Sequence, residues 1–366
     1  MKVLHLLTSG QSGGIESLCR DIGKYSDFEN TFCFISGGGI IYEQMRGLGL
    51  NVVNLAHKGS KFSFKKFRII NNLANEHDIV VVHHGDPYLK LYFCMLKGRT
   101  SAKLVSIIHS CFTPATSEYF QKLKRIIYEK IIDSSLEKSD AIIYVAKAGK
   151  KSFEDKFGEK KVRTFVVYNG IAPEKIKNGK NNRYKQNQPY NITYIGRLNI
   201  IKGVDNLLKA ASLLSSKYDI EVSIIGDGPD RAKFEKLSHE LKINHIVTFY
   251  GQKTNVEDYL KKASVFVYPS TCPEVFGISI VEAMAYGIPC VSNKVGGIPE
   301  VIDDKISGLL CYSFEPEELA NNIETILNSD NTQMVEEGRK VAEKFSIINT
   351  VKNLQTVFNE IWKEGI

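Results

Sequence analysis

The sequence predicts an α/β protein built from two doubly wound parallel-sheet domains, and three observations carry that reading. A chain of 366 residues is long enough for about two domains at ~150 residues each. Short runs of β-branched and aliphatic residues, apolar on both faces, alternate with longer amphipathic stretches, the pattern of a parallel sheet covered on both sides. That rhythm stops once, in a polar stretch, and then restarts.

In the first half the strands are expected at Val3 to Leu7, Thr31 to Ser36, Val52 to Leu55, Ile79 to His83, Leu104 to His109, Ala141 to Val145 and Arg163 to Val167. Helical spacing marks Ile15 to Tyr25, Phe64 to Asn75 and Glu118 to Lys138. Residues 170–189, rich in Asn and Lys and nearly devoid of large aliphatics, read as a linker. Beyond it, strands are expected at Asn191 to Gly196, Glu221 to Gly226, Val247 to Tyr250, Val265 to Tyr268, Cys290 to Ser292 and Leu309 to Cys311. Helices fill the gaps at Val204 to Ser215, Pro229 to Leu241, Ile278 to Tyr286 and Pro316 to Asn328. A final helix, about 348–366, exceeds the needs of the second sheet and is assigned to the first domain, giving 1–169 plus that helix, then 190–347. Open sheets of this kind bind ligands at the carboxyl ends of their strands, so a cleft between two such domains is the expected site.

With 43% hydrophobic and 24% charged residues, 28 Gly and 10 Pro, the composition excludes collagen, disorder and a disulfide scaffold. The seven cysteines are scattered, with no C-x-x-C pair, so neither a bridge framework nor a zinc ribbon is indicated and a reducing cytosol fits. The apolar run after Met1 stops at Thr8 and contains His5, which is too short for a signal sequence and reads as a buried strand. No run approaches the ~18 apolar residues of a membrane span.

The net charge of +7 is uneven: residues 1–175 hold 26 Lys and Arg against 17 Asp and Glu, the remainder 22 against 24. A basic half suits an acidic partner or is simply a solvated face. Lys58, Lys61, Lys65, Lys66 and Arg68 interleave with Phe62, Phe64 and Phe67, and a second basic segment follows at 120–130. Cations beside aromatics suit an anionic bilayer surface, nucleic acid would use similar residues, and the plain alternative is an amphipathic helix packing its Phe residues inward.

Several strand ends carry glycine and charge together. In GRLNIIKG, Gly196 ends a strand, Arg197 and Lys202 follow, and Gly203 opens a helix, a combination suited to a diphosphate. In PEVFGISIVEAM, Gly277, Ile278 and Ser279 would offer N–H groups at a helix start between Glu274 and Glu282, whose carboxylates can accept bonds from sugar hydroxyls. Neither G-x-G-x-x-G nor G-x-x-x-x-G-K-[ST] is present, which disfavours a dinucleotide redox enzyme and P-loop phosphoryl transfer. His83 and His84 are neighbours whose side chains should diverge, so no metal site is expected from them.

Taken in order, the loop SGGIE (Ser12 to Glu16, with Gly13 and Gly14), His109, YNG at Tyr168 to Gly170, GRLNIIKG, GDGP (Gly226, Gly228), FYG from Phe249, the Glu274/Glu282 pair and GGIPEVI from Gly296 resemble the retaining nucleotide-sugar glycosyltransferases of family four. The resemblance spans nearly the whole chain and implies the GT-B architecture of two Rossmann-like domains. It implies that Arg197 and Lys202 neutralise the donor diphosphate, that Gly14 lets backbone approach it, that Glu282 holds the ribose, and that Glu274 and His109 lie by the transferred sugar. Gly13, Gly196, Gly226, Gly228, Phe249, Gly277, Ile278 and Ser279 would complete the donor site. The expected donor is a UDP-sugar and the expected acceptor a hydroxyl of a glycan or lipid-linked glycan, as in cell-surface polysaccharide synthesis. On this resemblance no cofactor or metal is expected, nucleic acid is not a partner, and the enzyme sits in the cytoplasm, at the inner face of the membrane if the basic segment docks there. The chain departs from the family in having Ala172 where an acidic residue is common, and no D-x-D occurs. A nucleotide-sugar epimerase of the same fold, or a catalytically silent subunit of a partner transferase, are the competing readings.

Overall fold

The computed structural model describes residues 1–11, 13–83, 86–112, 119–180 and 189–363. Ser12, His84, the side chains at 120–124, residues 181–188 of the expected linker and the last three residues of the expected final helix lie outside the described residues. The chain divides into two compact units, Met1–Gly170 with Ile347–Ile366, and Ile171–Ser346.

The first unit runs β1 (Lys2–Leu7), α1 (Gly14–Tyr25), β2 (Glu29–Phe34), α2 (Ile40–Gly47), β3 (Asn51–Asn54), α3 (Phe64–Asn75), β4 (Ile79–His83), α4 (Pro87–Leu96), β5 (Lys103–Ile108), α5 (Tyr119–Glu137), β6 (Ala141–Tyr144), α6 (Lys147–Phe157) and β7 (Arg163–Val166). Its seven strands are parallel, in the order β3-β2-β1-β4-β5-β6-β7. The central strands are apolar on both faces because both are covered. Leu4, Leu6, Val80 and Val82 pack with Ile70, Leu89 and Phe93, while Leu7, Phe32 and Phe34 pack with Cys19, Ile41 and Met45.

The second unit continues α7 (Pro173–Lys180), β8 (Tyr190–Ile195), α8 (Val204–Leu214), β9 (Ile220–Ile225), α9 (Arg231–Glu240), β10 (Val247–Gly251), α10 (Glu257–Leu260), β11 (Val265–Tyr268), α11 (Ile278–Ala285), β12 (Cys290–Asn293), β13 (Leu309–Cys311), α12 (Pro316–Asn328) and α13 (Thr332–Lys344). Its six strands order as β10-β9-β8-β11-β12-β13. The last helix, α14 (Ile347–Lys363), belongs to the first unit. There Phe358 meets Phe28, with ring centroids 5.6 Å apart, and Thr350 donates to the Tyr168 carbonyl at 2.9 Å.

Two expectations are corrected. Pro173–Lys180 of the expected linker is helix α7. Its polar composition survives because it meets α11 through a glycine: a Cβ on Gly179 would lie 1.9 Å from the Ala285 carbonyl oxygen. The basic aromatic segment is also not one exposed face. Ser63 caps α3, accepting from the Lys66 N–H at 3.2 Å, and the helical period then puts Lys66 on the same stripe as buried Ile70 and Ala74. Lys66 is 1% exposed, its ammonium donates to the Ile35 carbonyl at 2.7 Å, and burial lowers its pKa. Phe62 and Phe67 pack on the same core, Phe62 stacking on Tyr92 at 5.1 Å. Only Phe64, at 76% exposure, stays outside with Lys58, Lys61, Lys65 and Arg68. Among the described residues no helix is long and apolar enough to cross a membrane.

Candidate functional site

In the second unit the strand order reverses between β8 and β11, the switch point at which doubly wound sheets open a crevice beyond the strand ends. Gly196 follows β8 directly. Asn199 then caps a 3-10 turn, Ile200–Lys202, by accepting from the Ile201 N–H at 3.2 Å, and Gly203 leaves it in the left-handed region at φ 69°. A side chain could not replace that glycine easily, because its Cβ would lie 1.9 Å from the Pro269 carbonyl oxygen in the loop after β11. The Thr271 N–H also donates to the Ile201 carbonyl at 3.0 Å, so the two loops are tied backbone to backbone. Asp230 accepts from the Ile200 N–H at 2.9 Å, and its bonds to Lys233 first, then Ile200, hold the carboxyl below its usual range. Buried Asn293 donates to the carbonyls of Pro269 and Ser270 at 2.9 and 3.1 Å, which holds the other loop.

This scaffold places Lys202 against Glu274, Nζ to Oε1 2.5 Å, with the Ser270 hydroxyl donating to the same oxygen at 2.6 Å. Both side chains are sheltered, at 21% and 12% exposure. Arg197, from the same loop as Lys202, is exposed, and no described carboxylate pairs with it. Gly277 enters α11 at φ 81° with no side-chain cap, so the first-turn N–H groups of Ile278 and Ser279 have no partner four residues back within the helix. Glu282 follows in the second turn and is ion-paired with Lys175 of α7. Gly226 and Gly228 press on the loop after β8, where their Cβ atoms would lie 1.9 Å from the Gly196 and 2.2 Å from the Leu198 carbonyl oxygens. Phe249 stands on the edge strand β10, two strands from β8, its carbonyl accepting from Arg231 at 3.2 Å.

In the first unit the switch point lies between β1 and β4. Gly13 caps α1 in an extended conformation, and Gly14 opens the helix with nothing within 4 Å of where its Cβ would stand. His109, half-buried, follows β5 and joins a row of buried groups: His83 Nδ1 lies 2.9 Å from His109 Nε2, His83 Nε2 3.0 Å from His5 Nδ1, and His5 Nε2 3.0 Å from Asn30 Oδ1.

Sequence reasoning missed Lys175, hidden in a stretch read as linker, Ser270, whose hydroxyl reaches the Glu274 carboxylate, and Asp230 and Asn293, which act through backbone groups. It also passed over His5 and Asn30. A lone imidazole inside a run as apolar as VLHLL was the available signal for His5.

Burial pushes His5 and His109 down from 6.5 to about 4. The folded state therefore resists protons that the unfolded chain accepts first, so this contribution is present above pH 6.5 and is lost as pH falls toward about 4. We expect Tm, followed by calorimetry, to drop across that window, and His5→Gln to drop less steeply. Equal slopes for parent and variant would contradict the assignment.

The chain matches the family pattern described as "Glycosyl transferases group 1" over residues 175–341, and that of "Glycosyltransferase Family 4" over residues 29–175. It is 30% identical over 293 residues to an uncharacterized glycosyltransferase of Methanocaldococcus jannaschii, covering 76% of this chain and 74% of that one. A crystal structure of Anabaena HepE in complex with UDP and glucose superposes with TM-score 0.82 at 20% identity, over 98% of this chain and 99% of that one. The apo lipopolysaccharide outer core galactosyltransferase WaaB superposes with TM-score 0.73 at 18% identity, over 98% and 100% of the two chains.

Proposed function

The chain belongs to the glycosyl transferases group 1 family of retaining GT-B glycosyltransferases, and on that premise we propose that it transfers a sugar from a UDP-sugar to a hydroxyl of a glycan or lipid-linked glycan without a metal ion. The observation that carries the reading is the Lys202–Glu274 pair, 2.5 Å apart and sheltered, with the exposed Arg197 on the same loop as Lys202 at the switch point. A bound diphosphate gives Lys202 a second anionic partner, and Arg197 is placed on the same loop to share that charge. Glu274 then turns its remaining lone pairs to the sugar hydroxyls. The N–H groups that open α11 face negative charge well, and Glu282 in the next turn can accept from ribose hydroxyls.

Chemically, the bond from the anomeric carbon to the diphosphate oxygen breaks as the acceptor oxygen bonds to that carbon on the same face. The acceptor's proton passes to the departing phosphate. Glu274 is not needed as a nucleophile in this scheme, and its ion pair with Lys202 favours a positioning role. The cations supply the charge neutralisation that a divalent ion supplies elsewhere. UDP in the HepE complex supports the donor class, and the similarity to WaaB, a lipopolysaccharide outer core galactosyltransferase, supports a glycan or glycolipid acceptor.

The test is a panel of UDP-, GDP- and ADP-sugars, followed by donor hydrolysis and thermal stabilisation in excess EDTA. We expect UDP-sugars alone to stabilise and turn over. A preference for another nucleotide would remove the donor assignment, and activity that returns only with magnesium or manganese would remove metal independence.

A further inference from the structure

The row of imidazoles in the first unit has a direction that its buried end dictates. Asn30 Nδ2 donates to Ser26 Oγ at 2.6 Å and to the Phe28 carbonyl at 3.2 Å, so its Oδ1 is the acceptor that faces His5 Nε2 at 3.0 Å. His5 must carry its proton on Nε2. Neutral, it offers only a lone pair on Nδ1, so His83 Nε2 at 3.0 Å is the donor there. His83 Nδ1 is then a lone pair, and His109 Nε2 at 2.9 Å must donate to it. The rings are tilted by only 24° and 21°, and their centroids stand 5.3 and 5.1 Å apart, close to the widest that these N···N distances allow. They meet edge to edge, as N–H···N bonds require, not face to face.

Cys19 Sγ lies 3.4 Å from His83 Nε2, and His5, Cys19 and His83 together could be read as metal ligands. Two features oppose that. Two nitrogens on a tetrahedral zinc at ~2.0–2.1 Å stand about 3.3 Å apart, and here they are 3.0 Å apart, a hydrogen-bond distance. Burial, then the charges of Glu16 and Asp21, push the Cys19 thiol well up, away from the thiolate a metal needs.

We propose that Asn30, His5 and His83 are positioning residues that lock His109 in its Nε2–H tautomer, so that the Nδ1 lone pair is presented as a fixed acceptor for a sugar hydroxyl. His109, unlike His5 and His83, keeps partial exposure, and among the described residues no hydrogen bond reaches its Nδ1. The chain of donors is self-reinforcing, since each N–H that donates makes the opposite nitrogen a better acceptor. The proposal rests on the reading that His109 touches substrate.

Nitrogen-15 NMR of histidine-labelled protein at neutral pH tests the tautomers without any activity measurement. All three rings should show Nε2–H. His83→Phe, which keeps a ring without nitrogens, should turn His109 into a mixture and lower kcat about tenfold, with UDP affinity by calorimetry unchanged. His83→Gln, which can donate to His5 and accept from His109, should recover most of the loss. An Nδ1–H His109 in the parent, or one zinc per chain in the purified protein, overturns the proposal even if no variant folds. A tautomer shift in His83→Phe with kcat unchanged overturns the positioning role and leaves the donor site, which the Lys202 variant tests separately, standing.

Discussion

Lys202→Ala and Arg197→Ala should each lower sugar transfer at least about a hundredfold, while the fold survives. Charge-assisted bonds to phosphate are among the strongest a site can make, and removing one leaves diphosphate charge unmatched at a cost of about 2–4 kcal/mol in the transition state. The two variants should differ in one respect. Arg197 is exposed and paired with no described carboxylate, so its loss falls on the donor alone. Lys202 also neutralises Glu274, which is 12% exposed, so its removal takes the counter-cation from a sheltered carboxylate and should lower stability of the free enzyme as well. Steady-state kinetics with the best donor, beside thermal melts, separate the two effects. Near-parental turnover in both variants would remove the proposed site.

Gly203→Ala should destabilise the second unit by about 2–5 kcal/mol and, on the proposed donor site, weaken UDP binding with it. The alanine would have to adopt φ 69°, which costs L residues about 1–2 kcal/mol, and relieve a 1.9 Å approach to the Pro269 carbonyl oxygen, with overpacking at a further ~1–3 kcal/mol. That carbonyl belongs to the loop that carries Ser270 and Glu274, so relief should disturb the Lys202–Glu274 contact. Gly47→Ala is the contrast. Gly47 ends α2 with nothing within 4 Å of its Cβ position, so the substitution should be neutral or slightly stabilising. Denaturant titration of both variants decides it, and a Gly203→Ala protein as stable as the parent would show that the two loops are not tied as described.

Much of the architecture was legible because it is written locally. A strand buried on both faces must be a continuous apolar run, and a helix covering it must repeat its apolar residues every three to four positions. Ile79–His83, Phe64–Asn75, Val265–Tyr268, Leu309–Cys311 and Pro316–Asn328 therefore have the same bounds in structure as in pattern. The loops that follow β8 and β11 were equally readable, since glycine, cation and carboxylate at a strand end advertise themselves by type.

Partnership was not readable, because it joins residues distant in the chain. Lys66 counts as surface by type, and only the register of α3 against the sheet sends it to the Ile35 carbonyl. Lys175 reaches Glu282 across 107 residues from a helix whose polar composition masks its packing. His5, His83 and Asn30 form one row only because β1, β2 and β4 lie side by side. The sequence by itself determined the two parallel sheets, their covering helices and the residue types at the strand ends, since each follows from backbone periodicity and burial. The tertiary structure alone decided which charge meets which and which imidazole meets which, because hydrogen bonds and ion pairs are set by distances of a few ångströms between segments that no local pattern connects.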